Sequence, residues 1–89
     1  AGDLLWAAAC HDRAELLQAA RLDADFAVLS PVLPTRSHPG AEVLGWHGFS
    51  EAIRDLRLPV YALGGMKKGL LDSARYHNAH GIAMLSGIW

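Results

Sequence analysis

Four apolar runs of strand length divide this 89-residue chain into a regular pattern. They are Leu4–Ala9, Phe26–Leu29, Val60–Leu63 and Ile82–Leu85. Near-continuous apolar character over so few residues is typical of parallel strands that are buried on both faces. Segments with helical spacing separate the runs. The order β-α-β-α-β-α-β therefore predicts an α/β fold with a parallel sheet.

Three segments between these runs have the signatures of amphipathic helices. Asp12 and Glu15 have the spacing of a capping box, which predicts a helix start. Asn78 predicts the end of the third helix, because asparagine tolerates the left-handed backbone of a C-terminal cap. The predicted buried positions are, in chain order, Leu16, Leu17 and Ala20, then Phe49, Ile53 and Leu56, then Leu70, Leu71 and Ala74.

The order of the elements favours half of an eight-stranded TIM (β/α)8 barrel. Right-handed crossovers place every helix on one side of the sheet if the strands pair in chain order. A small doubly wound sheet is the alternative, and it would carry helices on both faces. An internal similarity between Phe26–Ser30 and Ile82–Ser86 favours the barrel. Four strands leave two open sheet edges, so we expect a missing N-terminal half-barrel or a second copy of the chain to complete the fold.

Composition excludes several classes of function. The chain is 52% hydrophobic and 19% charged, as in ordinary globular proteins. A net charge of −1 gives no electrostatic reason to bind nucleic acid or an anionic membrane. No apolar run approaches the roughly 18 residues of a membrane span, and no signal peptide is recognisable. With one cysteine, Cys10, no internal disulfide can form, and we expect a cytoplasmic location.

Small and polar residues follow the predicted strands, where ligands bind in such barrels. Gly64-Gly65 follows the third strand and Ser86-Gly87 the fourth. Backbone N–H groups in turns of this kind can surround a phosphate group. A tight turn that binds nothing is the alternative for the glycine pair. The long connection from Ser30 to Gly45 adds further polar groups, and loops of that length are usually functional.

Four motifs in this order resemble thiamine phosphate synthases and TenI-type thiazole tautomerases. The segments that carry the resemblance are Cys10–Asp12, Ala24–Thr35, Pro59–Met66 and Gly81–Ile88. The resemblance covers nearly the whole chain and implies that residues 1–89 are the C-terminal half of the barrel, strands five to eight. Two further runs, Ser37–Ala41 and Leu44–Trp46, are most similar to synthase-like domains fused behind a MutT-type Nudix hydrolase.

This resemblance implies a site for a phosphorylated thiazole. The synthase couples an aminopyrimidine diphosphate to thiazole phosphate, uses Mg²⁺ and releases pyrophosphate. Its phosphate-binding positions correspond here to Thr35, Arg36, Ser37, His38, Gly64, Gly65, Leu85 and Ser86.

Departures from the synthase pattern imply that this chain alone does not catalyse the reaction. His38 stands where the synthase has a lysine for the diphosphate, and Ala9 where it has a serine. The family's Mg²⁺ carboxylates and its Arg/Lys cluster belong to earlier strands. We therefore expect no metal to be bound by this chain's own residues, although the complete family enzyme uses Mg²⁺.

His11 provides an enzymatic alternative. It directly follows the first strand. The resemblance implies that it corresponds to the acid/base histidine of the tautomerase. An imidazole is suited to proton transfer near neutral pH. A histidine that only hydrogen-bonds at the helix start is the other interpretation. A third is a non-catalytic module that binds thiazole phosphate or thiamine phosphate within a Nudix fusion.

Overall fold

A computed structural model describes residues 5–35, 40 and 42–84 of the chain. Four strands and three helices alternate along it, and a single 3-10 turn at Lys68–Leu70 leads into the last helix. In chain order the elements are β1 (Ala7–Cys10), α1 (Arg13–Arg21), β2 (Phe26–Leu29), α2 (Gly45–Ile53), β3 (Val60–Ala62), α3 (Leu71–Tyr76) and β4 (Gly81–Ile82). The predicted alternation of strands and helices is confirmed.

The sheet is parallel and its strands pair in chain order, β1-β2-β3-β4. One row of residues crosses all four strands: Cys10 pairs with Leu29, Leu29 with Ala62, and Ala62 with Ile82. Strands that pair in sequence through right-handed crossovers send every helix to the same face.

A single core lies between this face and the helices. The row residues Cys10, Leu29 and Ala62 are buried together with Leu16 of α1, Phe49 of α2 and Ala74 of α3. Since all three helices contribute to one core on one face, the arrangement is that of half a (β/α)8 barrel. Within residues 5–35, 40 and 42–84, helices do not lie on both faces, as the doubly wound alternative would require.

The opposite face of the sheet is apolar and is not covered by any of the described helices. It presents the alternate strand positions, which pair Ala9 with Val28 and Val28 with Tyr61. Ala9 is exposed, whereas Val28 and Tyr61 are half-buried. The rings of Phe26 and Tyr61 meet edge to face, with 5.4 Å between their centroids. In a closed barrel this face becomes the interior, which further strands must cover.

Several predicted boundaries and burials were wrong. The first strand begins at Ala7, and Leu5 and Trp6 before it are exposed. Leu17 is also exposed, because the buried positions of α1 are Leu16 and Ala19, spaced i and i+3. The other corrections concern element ends. Leu56 lies beyond α2, after a left-handed turn at Asp55, and the last strand is assigned at Gly81–Ile82. Asn78 does adopt the predicted left-handed conformation, with φ 73°.

The longest helices of the described part of the chain, α1 and α2, have nine residues each, so none there is long and apolar enough to cross a membrane.

Arg13 joins α1 to the C-terminal end of α2. Its guanidinium donates hydrogen bonds to the carbonyl oxygens of Ala52 at 2.9 Å and Arg54 at 2.8 Å. The last carbonyl groups of a helix have no partner within that helix and carry partial negative charge. A cation from the neighbouring helix therefore satisfies groups that α2 cannot satisfy itself.

We predict that Arg13→Met lowers the free energy of unfolding by about 1–2 kcal/mol, because methionine keeps the apolar stem and removes the donors. Arg57→Met is the matched control, since Arg57 is exposed and makes no hydrogen bond with the described residues. Urea unfolding of both variants measures the difference. Equal stabilities would contradict a capping role for Arg13.

Candidate functional site at the carboxyl edge of the sheet

The carboxyl ends of the four strands meet at one edge of the sheet, and four of the predicted site residues are described there. His11 follows β1 directly, and Gly64 and Gly65 follow β3 after one residue. Thr35 lies in the connection that leaves β2. The remaining predicted residues, Arg36, Ser37, His38, Leu85 and Ser86, lie outside the described residues.

The connections after β2 and β3 continue to pair beyond the strands. The backbone N–H of Val32 donates to the carbonyl oxygen of Leu63 at 3.0 Å. The next residue, Leu33, donates to the carbonyl oxygen of Gly64 at 3.1 Å. Two loops that leave adjacent strands are thus held together by main-chain hydrogen bonds.

Glycine is required at positions 64 and 65 because this neighbouring loop approaches closely. A Cβ atom at Gly64 would lie 2.8 Å from the Cα atom of Pro31. At Gly65 it would lie 2.7 Å from the carbonyl oxygen of Pro34. Both glycines also have positive φ angles, 106° and 68°, which L-residues rarely adopt. The chain's own backbone, rather than a ligand alone, thus accounts for the glycine pair.

This close approach brings two predicted site segments together. Gly65 touches Pro34, and Thr35 is the next residue along the chain. Thr35 is half-buried. Thr35 thus directly follows the residue at which the two loops meet.

At the end of β1, His11 is bound by an acidic side chain. Oε1 of Glu15 accepts a hydrogen bond from the backbone N–H of His11 at 2.6 Å, and lies 3.1 Å from Nδ1 of its ring. Oδ1 of Asp12 accepts from the backbone N–H of Glu15 at 2.9 Å. The predicted helix start at Asp12 is confirmed, but Glu15 returns its bond to His11 instead of to Asp12.

Cys10 precedes this pair and is buried within the core, with 2% of its surface exposed. Burial raises the pKa of its thiol, and the carboxylates of Glu15 and Asp12 raise that pKa further. A thiolate is the nucleophilic form of cysteine. The surroundings of Cys10 therefore suit a packing residue and oppose a nucleophile.

The two histidines near the end of α3 have structural partners. Nδ1 of His77 lies 2.7 Å from the carbonyl oxygen of Ser73, and its ring stacks on Trp46 with 5.4 Å between centroids. The ring of His80 meets Tyr61 edge to face at 5.2 Å. Among the described residues, no three His, Cys, Asp or Glu side chains are grouped so that they could hold a metal ion.

A cationic side chain lies beside the end of β4. Lys68 borders a shallow hollow together with Leu71, Ile82 and Met84. Ser86, a predicted phosphate-binding residue, is two positions beyond Met84 in the sequence. From the sequence, the pair Lys67-Lys68 could assist an anion, although such a pair is more often only a solvated surface.

A larger hollow, of about 530 Å³, opens at the opposite edge of the sheet. Charged and polar residues of the α2–β3 and α3–β4 connections line much of it, including Glu51, Arg54, Asp55, Asn78 and His80. His11, Thr35, Gly64 and Gly65 do not line it. The carboxyl edge is the candidate site despite the larger hollow elsewhere, because barrel enzymes bind their substrates at the carboxyl ends of the strands.

Known proteins of one family are similar to this chain over nearly its whole length. The family model described as thiamine monophosphate synthase matches residues 1–88. The chain belongs to this family. The thiamine-phosphate synthase of Dictyoglomus turgidum is 32% identical over 84 residues, and that of Pyrococcus furiosus is 28% identical over 88 residues.

A solved structure of a related protein has the same fold as this chain. Thiamine phosphate pyrophosphorylase from Pyrococcus furiosus superposes with a TM-score of 0.80 at 28% identity, over 99% of this chain and 42% of that one. The Dictyoglomus turgidum synthase is covered to 35% of its length and the Pyrococcus furiosus synthase to 42%. This synthase-like chain thus spans about two fifths of the length of its relatives.

We predict that Gly65→Ala destabilises the fold by about 2–4 kcal/mol, because alanine would be strained at φ 68° and would clash with the Pro34 carbonyl. Gly69→Ala is the control, since its Cβ would meet nothing within 4 Å. Denaturant unfolding should show a change of less than about 0.5 kcal/mol for that variant. If Gly65→Ala proves as mild as Gly69→Ala, the two loops do not pack as described.

We also predict that the native Cys10 thiol reacts slowly with a disulfide reagent. At pH 8 its labelling should be on the order of 10-fold slower, or more, than in the urea-unfolded chain, because burial and two carboxylates raise its pKa. Raising the pH should speed labelling of the native chain only once the pH is high enough to ionise the Cys10 thiol. Equal rates for the folded and unfolded chains would contradict the buried, protonated thiol.

Proposed function

We propose that this domain binds a phosphorylated thiazole at the carboxyl edge of its sheet, as the acceptor-binding part of a thiamine phosphate synthase. The observation that supports the proposal is the packing of the two loops at Gly65 and Pro34, since Thr35 is the next residue after Pro34. Small hydroxyl groups and backbone N–H groups surround a phosphate without bulky side chains. Family membership supports the same assignment.

The phosphate group of this ligand would lie between the loop that contains Thr35 and the turns after β3 and β4. Gly64 and Gly65 would offer main-chain N–H groups, and Ser86 a hydroxyl. Lys68, beside the end of β4, would add a positive charge that favours an anion. Arg36, Ser37, His38 and Leu85 complete the proposed set.

We predict that thiazole phosphate raises the melting temperature of the chain. A ligand at 100 times its Kd stabilises the native state by about 2.7 kcal/mol. Ser86→Asp should abolish the shift, since it places a carboxylate against the anion. Ser50→Asp adds the same charge at the opposite edge and should keep the shift. If Ser86→Asp binds as well as the parent chain, the phosphate site is misplaced.

The described residues do not fit the Mg²⁺ site that the synthase reaction uses. Oδ1 of Asp12 accepts the Glu15 N–H, and Oδ2 of Asp25 accepts the backbone N–H of Trp6 at 2.6 Å. Both carboxylates thus serve the backbone, and no group of three potential ligands occurs among the described residues. We therefore assign no part of the proposed function to a metal that these residues would hold.

We predict that the 89-residue chain does not produce thiamine phosphate from the two substrates. Departure of pyrophosphate requires metal and cationic groups to stabilise the developing charge. The measurement is product formation with Mg²⁺ present, alongside a complete family synthase as the positive control. Turnover by the chain at a rate close to that of the control would show that the catalytic groups have been misassigned.

A second candidate function is thiazole tautomerisation by His11. The observation that favours it is the position of an exposed imidazole directly after β1, with 66% of its side chain accessible and a carboxylate on its Nδ1 atom. An imidazole so placed can move a proton near neutral pH. Binding of thiazole phosphate without either reaction would favour the third candidate, a non-catalytic binding module attached to a Nudix hydrolase.

We propose in addition that the open sheet face is covered in the functional assembly. Val28, Phe26 and Tyr61 form an apolar surface there, and β1 and β4 are the edges of the described sheet. Four further strands would bury this face and pair with both edges, either from an N-terminal half-barrel or from a second copy. The proposed location is the cytoplasm, where a free buried thiol such as Cys10 stays reduced.

A further inference from the structure

We propose that Glu15 is a positioning residue for His11, and that it selects the tautomer in which Nδ1 carries the proton and Nε2 is free to accept one. This inference rests on the second candidate function, proton transfer by His11, and deepens it. Glu15 was expected only to cap α1. Its i, i+4 spacing from His11 is the sequence signal that would have suggested the contact.

The contact fixes the tautomer by elimination. Oε1 of Glu15 lies 3.1 Å from Nδ1 of His11, and an ionised carboxylate can only accept hydrogen bonds. The proton of this bond must therefore belong to Nδ1. In the neutral ring the other nitrogen, Nε2, then carries a lone pair. Free histidine in water prefers the opposite tautomer, with the proton on Nε2. The tautomer of His11 bonded to Glu15 can therefore be distinguished from that of free histidine.

The carboxylate is itself held in place. The same Oε1 atom also accepts a hydrogen bond from the backbone N–H of His11 at 2.6 Å. The backbone and the ring of His11 therefore both bind this one oxygen atom. The backbone N–H of Glu15 is fixed by Oδ1 of Asp12 at 2.9 Å. Three consecutive contacts at the first turn of α1 thus orient the imidazole relative to the strand end. The arrangement follows the general pattern in which a carboxylate orients a catalytic histidine.

A catalytic pair of Cys10 and His11, with a thiolate beside an imidazolium, is not favoured at this place. Burial raises the pKa of the Cys10 thiol, and the carboxylates of Glu15 and Asp12 raise it further, so these surroundings oppose a thiolate–imidazolium pair. A tautomerisation needs no nucleophile: one C–H bond breaks, another forms, and no net proton is consumed. Nε2 of His11 would take the proton from the first carbon and deliver it to the second, while Nδ1–H stays bonded to Glu15.

Nitrogen chemical shifts of the histidine rings test the inference directly. In a chain with ¹⁵N-labelled histidine, at a pH where the rings are neutral, Nδ1 of His11 should give the protonated shift and Nε2 the unprotonated one. A His11→Gln variant identifies the signals among those of the five histidines. Glu15→Ala should move both shifts towards the opposite pattern, because the ring returns to the tautomer preference of free histidine. Glu15→Gln should retain the original pattern, because its amide oxygen still accepts from Nδ1.

Glu51→Gln is the matched control and should leave the His11 pattern unchanged, since Oε1 of Glu51 on α2 lies 3.8 Å from the guanidinium of Arg54, directly after that helix. An Nε2–H tautomer in the parent chain, or an unchanged pattern in Glu15→Ala, overturns the inference. Loss of the helix-capping contact of Glu15 would not by itself change the tautomer of the His11 ring. The nitrogen shifts therefore distinguish a positioning role of Glu15 from a purely structural one. If the tautomer is as proposed but no tautomerase activity is found, the candidate function fails and the positioning role stands.

Where tautomerisation is measured, Glu15→Ala should lower kcat on the order of 100-fold with little change in KM, because substrate binding does not use Glu15. Glu15→Gln should lose less activity than Glu15→Ala. A rise in KM with unchanged kcat would overturn the role of Glu15 in proton transfer.

Discussion

The pairing of the four parallel strands in chain order decides the rest of the structure. With right-handed crossovers, this order sends α1, α2 and α3 to the same face, where Leu16, Phe49 and Ala74 share one core. The same constraint gathers all four strand ends at one edge. It also leaves the opposite apolar face without a helix. A core, a site and an open surface thus follow from one topological rule.

At the carboxyl edge, the proposed chemistry would depend on contacts that also stabilise the fold. Gly65 approaches Pro34 closely, so the two loops pack together directly before Thr35. Glu15 helps to start α1 and binds the ring of His11 with the same oxygen. A substitution at either place would therefore alter both folding and function, which is why matched controls at Gly69 and Glu51 matter.

Local patterns in the sequence predicted the helices and strands well. They could not predict contacts between residues that are far apart in the chain. Apolar runs predicted the strands, while Asp12 and Asn78 correctly predicted a helix start and a helix end. Nothing local indicates that Arg13 reaches the end of α2, 39 residues away at Ala52, or that Gly65 touches Pro34. The exposure of Leu17 was missed because a nine-residue helix buries a narrower stripe than its apolar residues suggest.

The central claim is that a phosphorylated thiazole binds where these loops meet, and amide chemical-shift mapping tests it most directly. Titration with thiazole phosphate should shift the backbone amide signals of Thr35, Gly64 and Gly65 most strongly, with saturation at a common Kd. The amides of Asn78 and His80, which border the hollow at the opposite edge, should remain unchanged. Largest shifts at that opposite edge, or none at the glycine pair, would contradict the account.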